Sequence, residues 1–258
     1  MIVSILILIL LPMRSVAKTS EAKGLEIAKE IEMRGNGYID YTASLLMVLQ
    51  NKHGNISSRN IRVHTLEVEG DGDKNLIIFD RPKDLRGTAF LTFTYKTDDD
   101  DQWLYLPALK RVKRISSRNK SGSFMGSEFA YEDIASQELE KYEYLWVRDE
   151  VYDGEDCFVI ERYPVDKKNT GYTRLLTWVD KSNYRIQKVE YFDRKETLLK
   201  TLTMNKYNVY LNRFWRSHEM VMVNHQNGKM TRLEWSDFKF QGGLQSHDFN
   251  KSSLKRIR

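Results

Sequence analysis

The sequence predicts a mainly β protein: one curved antiparallel sheet with an N-terminal helix and helical cover over its concave face. Three observations carry that expectation. After Tyr38 nearly every segment is a short run rich in β-branched and aromatic residues. Many of these runs are joined by tight polar turns, such as Asp180-Lys181-Ser182-Asn183 and Gln226-Asn227-Gly228, and connections this short force antiparallel neighbours. Roughly ten strands in series cannot remain a flat open sheet and must curl, close or pack on something. The composition agrees, since 41% hydrophobic and 30% charged residues in a chain of 258 describe a globular protein and not a disordered one.

The elements follow in order. Ile2 to Leu11 is apolar except for Ser4, and as a helix it would reach only about 15 Å, half a bilayer core. Pro12, Arg14 and the small residues of Ser15-Val16-Ala17 follow, which is the pattern of a secretory signal cut after Ala17, an uncleaved anchor being the alternative. This leaves residues 18–258 as a single β domain. From Ser20 to Met33 the pattern is helical, with Ala22, Leu25, Ala28 and Ile31 as a narrow apolar stripe. Gly24 weakens the first turns and moves the expected start toward Leu25, while Gly35 and Gly37 end the helix. Strands are expected at Tyr41–Leu49 (a helix being the alternative), Ser58–Glu69, Asn75–Phe79, Thr88–Tyr95 and from Trp103 onward. The series resumes with Tyr144–Val151, Cys157–Pro164, Thr173–Asp180, Arg185–Phe192, Leu198–Tyr210, Arg216–Asn224 and Lys229–Phe240. Between the two halves, Ser116 to Glu128 reads as a glycine-loosened loop and Tyr131 to Lys141 as a short helix.

No catalytic constellation emerges. The histidines at 53, 64, 218, 225 and 247 are scattered, and neither a metal motif, a nucleophile elbow nor a phosphate-binding glycine loop occurs. No enzyme, cofactor or metal is therefore expected. Cys157, the single cysteine, reads as buried and structural. Asp71-Gly72-Asp73-Lys74-Asn75 begins like a calcium loop but has Leu76 where glycine is required, so it reads as a solvated hairpin turn. Asp98 to Asp101 reads as a hydrated acidic turn. Lys110, Arg111, Lys113 and Arg114 form a basic stretch directly after Trp103-Leu104-Tyr105-Leu106. A net charge of +5 is too small to favour nucleic acid. The basic stretch is read first as an internal charge network with Glu128, Glu132 and Asp133, and otherwise as a contact for lipid headgroups or an acidic partner.

Three stretches carry a resemblance. They are Trp103 to Ile115, then Gly122-Ser123-Phe124-Met125-Gly126-Ser127-Glu128-Phe129-Ala130-Tyr131-Glu132-Asp133, and Tyr191-Phe192-Asp193-Arg194-Lys195. From Ala28-Lys29-Glu30 to its end, the chain resembles the outer membrane lipoprotein-sorting protein family, in the LolA-like branch linked to exporters of the RND/MMPL type. The resemblance implies an incomplete β-barrel with a helical lid (a LolA/LolB-like fold), an apolar cavity, and a periplasmic carrier of lipoprotein acyl chains or other lipids. It supplies no catalytic residues. Phe124, Met125, Phe129 and Tyr131 are nominated as lid or mouth, because their glycine-flanked segment can move, and Trp103, Tyr105 and Trp178 as cavity wall. Phe124→Asp or Phe129→Asp is then expected to weaken lipid binding without unfolding the protein. A carrier must hide about 12 kcal/mol of hydrocarbon per long chain and still release it, which a lid permits. The expected state is a monomer in transient contact with membranes. The rival expectations are an accessory partner of an exporter and a hydrolase of envelope lipids.

Overall fold

The structure, a computed structural model, describes residues 19–256, so the expected signal and its cut after Ala17 lie outside the described residues. The chain begins with helix α1 (Ser20–Gly35). The first run of strands is β1 (Asp40–Gln50), β2 (Ile56–Leu66), β3 (Lys74–Arg81), β4 (Ala89–Phe93), β5 (Asp101–Leu106) and β6 (Arg111–Ile115). After a connection containing the four-residue α2 (Tyr131–Ile134) and a 3-10 turn, Leu139–Lys141, come β7 (Tyr142–Tyr152), β8 (Glu155–Pro164) and β9 (Tyr172–Asp180). The last strands are β10 (Ile186–Asp193), β11 (Leu198–Tyr210), β12 (Phe214–Asn224) and β13 (Met230–Phe240).

Among the described residues these strands form one antiparallel sheet of thirteen. Its order is β6-β5-β4-β3-β2-β1-β13-β12-β11-β10-β9-β8-β7. Two meanders therefore meet along the β1–β13 ladder, where Leu45 faces Trp235 and Val48 faces Arg232. The outermost strands β6 and β7 do not pair, so the sheet stays open. It is nevertheless strongly curled. Gln102 on β5 donates to the Tyr131 carbonyl at 3.0 Å, and the Tyr172 hydroxyl at the start of β9 donates to Asp133 at 2.8 Å. Two residues of chain thus touch strands that would stand roughly 43 Å apart in a flat sheet, at about 4.8 Å per strand. Bulges help the bend: the β1–β13 register shifts between Thr42 and Ser44, and the β7–β8 register between Trp146 and Arg148.

Alternation of side chains divides the apolar residues between the faces. Ile77, Phe79, Phe90, Leu104, Leu175, Val189 and Met222 point inward. Leu76, Ile78, Leu91, Trp103 and Tyr105 point outward, where Phe249 and Leu254 of the C-terminal segment cover them. Two expectations about α1 are corrected. The buried residues are Gly24, Ile27 and Ala28, while Leu25 is 38% exposed, so the apolar stripe is turned from the one expected. Nor does Gly24 delay the start. The helix begins at Ser20, capped by the Thr19 side chain, and a Cβ on Gly24 would stand 2.7 Å from the Trp146 nitrogen of β7. The glycine is there to let α1 lie directly on the edge strand. No helix among the described residues is long and apolar enough to cross a membrane.

Candidate functional site

The connection from β6 to β7 must travel between the two free edges of a curled sheet, and it does so across the inner face. Its path is fixed by anchors and not left loose. Phe124 is fully buried against Phe79 and Phe90, with ring centroids 6.1 and 5.1 Å away, and Tyr131 meets it edge-on at 5.6 Å. Phe129 is 4% exposed, while Met125 and Tyr131 are half-buried against the same cluster. The glycines expected to loosen the segment instead allow a tight reversal, with Met125 and Gly126 at φ 50° and 79°. The Phe124 N–H donates to the Phe129 carbonyl at 2.7 Å, Ser123 Oγ donates to the Ser127 carbonyl at 2.6 Å, and Arg59 of β2 donates to the Met125 carbonyl. Asp133, two residues after Tyr131, accepts from Lys200 Nζ at 2.6 Å in a pair whose side chains are 5% and 4% exposed. The expected mobile lid is therefore a pinned plug, and the space beneath it is filled by Phe124.

The open space lies beside the plug. A cavity of about 700 Å³ opens beside the second half of α1, bounded on the sheet side by β7–β10. Ala28 and Ile31 of α1, Leu139 and the sheet residues Tyr144, Ile160 and Ile186 give it apolar walls, with Arg162 and Thr177 on its sheet side. Carboxylates crowd its rim, from Glu32 on α1, from the 67–73 loop and from Glu138. Several are already engaged. Glu67 accepts from the Gly37 and Ile39 N–H groups at 2.6 and 2.8 Å, and Asp73 accepts from the Tyr38 hydroxyl at 2.6 Å and Ser136 Oγ at 3.3 Å. The 71–75 turn is thus not simply solvated, as expected. It packs Gly72 against Thr94 and turns Asp73 inward. Glu138 is 9% exposed, and burial, with Asp73 next in weight, pushes its carboxyl up to about 7 despite Lys141. Carboxylate oxygens of Glu32, Glu138 and Glu140 lie within 4.8 Å of one another, which is the donor set a hard cation uses. No sequence spacing announces this group, because the fold brings Glu32 to it from another element.

The remaining nominated residues lie elsewhere. Trp103 and Tyr105 face outward under Phe249 and Leu254, so they stand on the far side of the sheet from the cavity. Trp178 is also on an outer cluster, with Cys157, Val159 and Leu176, beneath Lys188 Nζ at 3.4 Å. The strand period places them there, because Leu104 and Val179 on the same strands point inward. Cys157 is fully buried, and burial, then Asp180, pushes its thiol up to about 11. Lys110, Arg111, Lys113 and Arg114 are exposed along the edge strand β6 or at its start. They do not form the expected network. Arg114 pairs with Asp101 at 2.5 Å, whereas Glu128 binds Asn224, Glu132 binds Thr170 and the Gly171 N–H, and Asp133 binds Lys200. The acidic 98–101 turn is partnered rather than merely hydrated, since Asp100 pairs with Lys141 and Asp99 accepts from Ser117. Lys110 and Arg111 instead line an open groove with Lys251 and Lys255.

With this geometry in place, comparison with known proteins is informative. The chain is 57% identical to a protein of Vibrio parahaemolyticus described as a candidate outer membrane lipoprotein-sorting protein domain; the match covers 91% of this chain and 99% of that one, with a TM-score of 0.89. It is 30% identical to a DUF1329 family protein from Desulfovibrio piger, over 92% of this chain and 100% of that one, with a TM-score of 0.87. A LolA superfamily protein from Nitrosomonas europaea shares the fold at 22% identity, over 92% and 99% of the two chains, with a TM-score of 0.72. A family model described as an uncharacterized protein matches residues 71–256. No curated protein matches.

Proposed function

We propose, for a chain that belongs to the outer membrane lipoprotein-sorting and DUF1329 family, that it is a periplasmic carrier whose ligand is the acyl chain of a lipoprotein or lipid. The observation behind this reading is the cavity of about 700 Å³ between α1 and the sheet. Pockets of ~300–1,000 Å³ with apolar walls and a few polar groups are the usual size for one bound organic ligand. Helix α1 is the natural gate. It rests on the sheet through a narrow face of Gly24, Ile27 and Ala28, with Ile27 packed on Ile160 and Val179, so moving one element opens the space. A second route for a chain is the inner face in front of β3–β5. There Phe124, Phe129, Met125 and Tyr131 would serve the ligand only after the plug withdraws.

The role is binding and release, without covalent chemistry on the lipid. The exposed Lys110, Arg111 and Lys113, together with Lys251 and Lys255 across the groove, suit brief contact with an anionic leaflet. The carrier reading is tested with delipidated protein and a fluorescent fatty-acid probe. Wild type is expected to bind at micromolar concentration. Ile31→Trp, which fills the hollow from the α1 side, is expected to weaken binding about tenfold, on the order of 1.4 kcal/mol, with little change in Tm. No uptake by wild type, or release of fatty acid from lipid substrates by the pure protein, would refute the carrier reading.

A further inference from the structure

The sheet side of the cavity holds a charge that the fold itself does not neutralise. Arg162 on β8 is 8% exposed. Its Nε donates to Thr177 Oγ1 at 3.2 Å, and its guanidinium carbon lies 5.3 Å from the centre of the Tyr142 ring. Among the described residues, no carboxylate stands within ion-pair distance of it, and its two terminal nitrogens make no hydrogen bond and are open to the cavity instead of sealed in the protein. A largely buried arginine is usually paired, because a guanidinium short of both water and a counter-charge is costly, so donors that reach only the cavity are free to take an anion from it. Lys200, the other buried cation among the described residues, obeys that rule by pairing with Asp133, and the part-buried Arg185 likewise pairs with Asp180. Arg162 lines the cavity, as does Thr177, its one hydrogen-bond partner among the described residues.

We infer that Arg162 anchors the anionic group, carboxylate or phosphate, of an amphiphile whose hydrocarbon occupies the cavity. This rests on the carrier reading and adds the class of headgroup. The planar fork of the guanidinium offers two parallel N–H donors to paired oxygens, which a neutral alcohol cannot match. Tyr142 and Thr177 hold the fork in place from behind. The acidic rim supplies the selectivity. Glu32, Glu67, Glu69, Asp73 and Glu138 repel a small free anion, so the headgroup must be carried in by the burial of its own tail.

The test is calorimetric titration of delipidated wild type, Arg162→Met and Arg162→Lys with oleate, lysophosphatidic acid, oleyl alcohol and inorganic phosphate. Wild type is expected to bind both anionic amphiphiles about tenfold or more tightly than the alcohol, and inorganic phosphate only weakly. Arg162→Met should erase the preference, so that the anionic amphiphiles bind the variant no more tightly than the alcohol does. Arg162→Lys should keep part of the preference. Equal affinity of wild type for oleate and oleyl alcohol overturns the anchor and leaves the carrier reading standing, even if the Met variant does not fold. Tight binding of inorganic phosphate alone also overturns it, in favour of a plain anion site. Binding of none of the four ligands removes the carrier reading and this inference together.

Discussion

Phe124 shows how one side chain decides whether a segment covers a cavity or fills it. Its ring is fully buried between Phe79, Phe90 and Tyr131. Phe124→Ala is expected to cost about 3–5 kcal/mol, lost transfer energy plus the hole left behind, measured by urea unfolding. Phe124→Asp, expected from sequence to spare the fold, would instead bury an unpaired carboxylate there and unfold it. A cost under about 1 kcal/mol for the alanine variant would mean that the ring is not locked in. Glu138 offers a pH-dependent counterpart. Burial raises its folded-state pKa from 4.5 to about 7, so the folded protein holds this proton more tightly than the unfolded chain does. The stabilisation is complete below about pH 4.5 and is lost as the pH rises through 7. Glu138→Gln, a mimic of the protonated form, should match wild type in Tm near pH 4.5 and exceed it by pH 8. A difference that stays constant across that range would contradict the assignment.

At the scale of elements, α1 shows what periodicity reveals and what it hides. The helix and its end were legible from the spacing of apolar residues and the terminal glycines, but its start and its buried stripe were not, because Leu25 looks like a core residue and Gly24 looks like a flaw. Contact with β7 inverts both. Gly24→Ala should therefore lower the Tm and the hydrogen-exchange protection of Ser20–Gly35, although alanine favours an isolated helix by about 1 kcal/mol. The ideal Cβ would meet the backbone of Leu145 and Trp146 at 2.7–2.9 Å, and backbone atoms have little room to yield. Higher protection in the variant would show that the helix does not rest there. The plug was legible as a segment of unusual composition. Its packing was hidden, since glycine licenses both a mobile loop and a tight reversal, and only Phe79, Phe90 and Lys200 decide between them. Arg162, in contrast, gave no signal in a strand of mixed character; its isolation exists only once the sheet has curled.

The sheet as a whole was the most legible feature, because short polar turns between many of its strands leave antiparallel neighbours as the arrangement. Which strands would be outermost was not, and β6 shows why: a basic run reads as a surface patch before it reads as a strand. At an edge, that charge discourages pairing with other chains. It also leads to a prediction for the whole molecule. Replacing Lys110, Arg111 and Lys251 together by Glu should abolish sedimentation with phosphatidylglycerol vesicles in low salt, while binding of a soluble fatty-acid probe persists. Vesicle binding that survives the triple change would place the contact on another face. The β1–β13 ladder has one more consequence. Its pairs join residues at least 180 positions apart, as Gln50 with Met230, which makes it the most non-local ladder of the sheet and the one with the largest loop-closure cost. Until it closes, one side of β1 has no neighbour and stands as an open edge. Each meander can build from local hairpins, and their joining is the step expected to set the pace of folding.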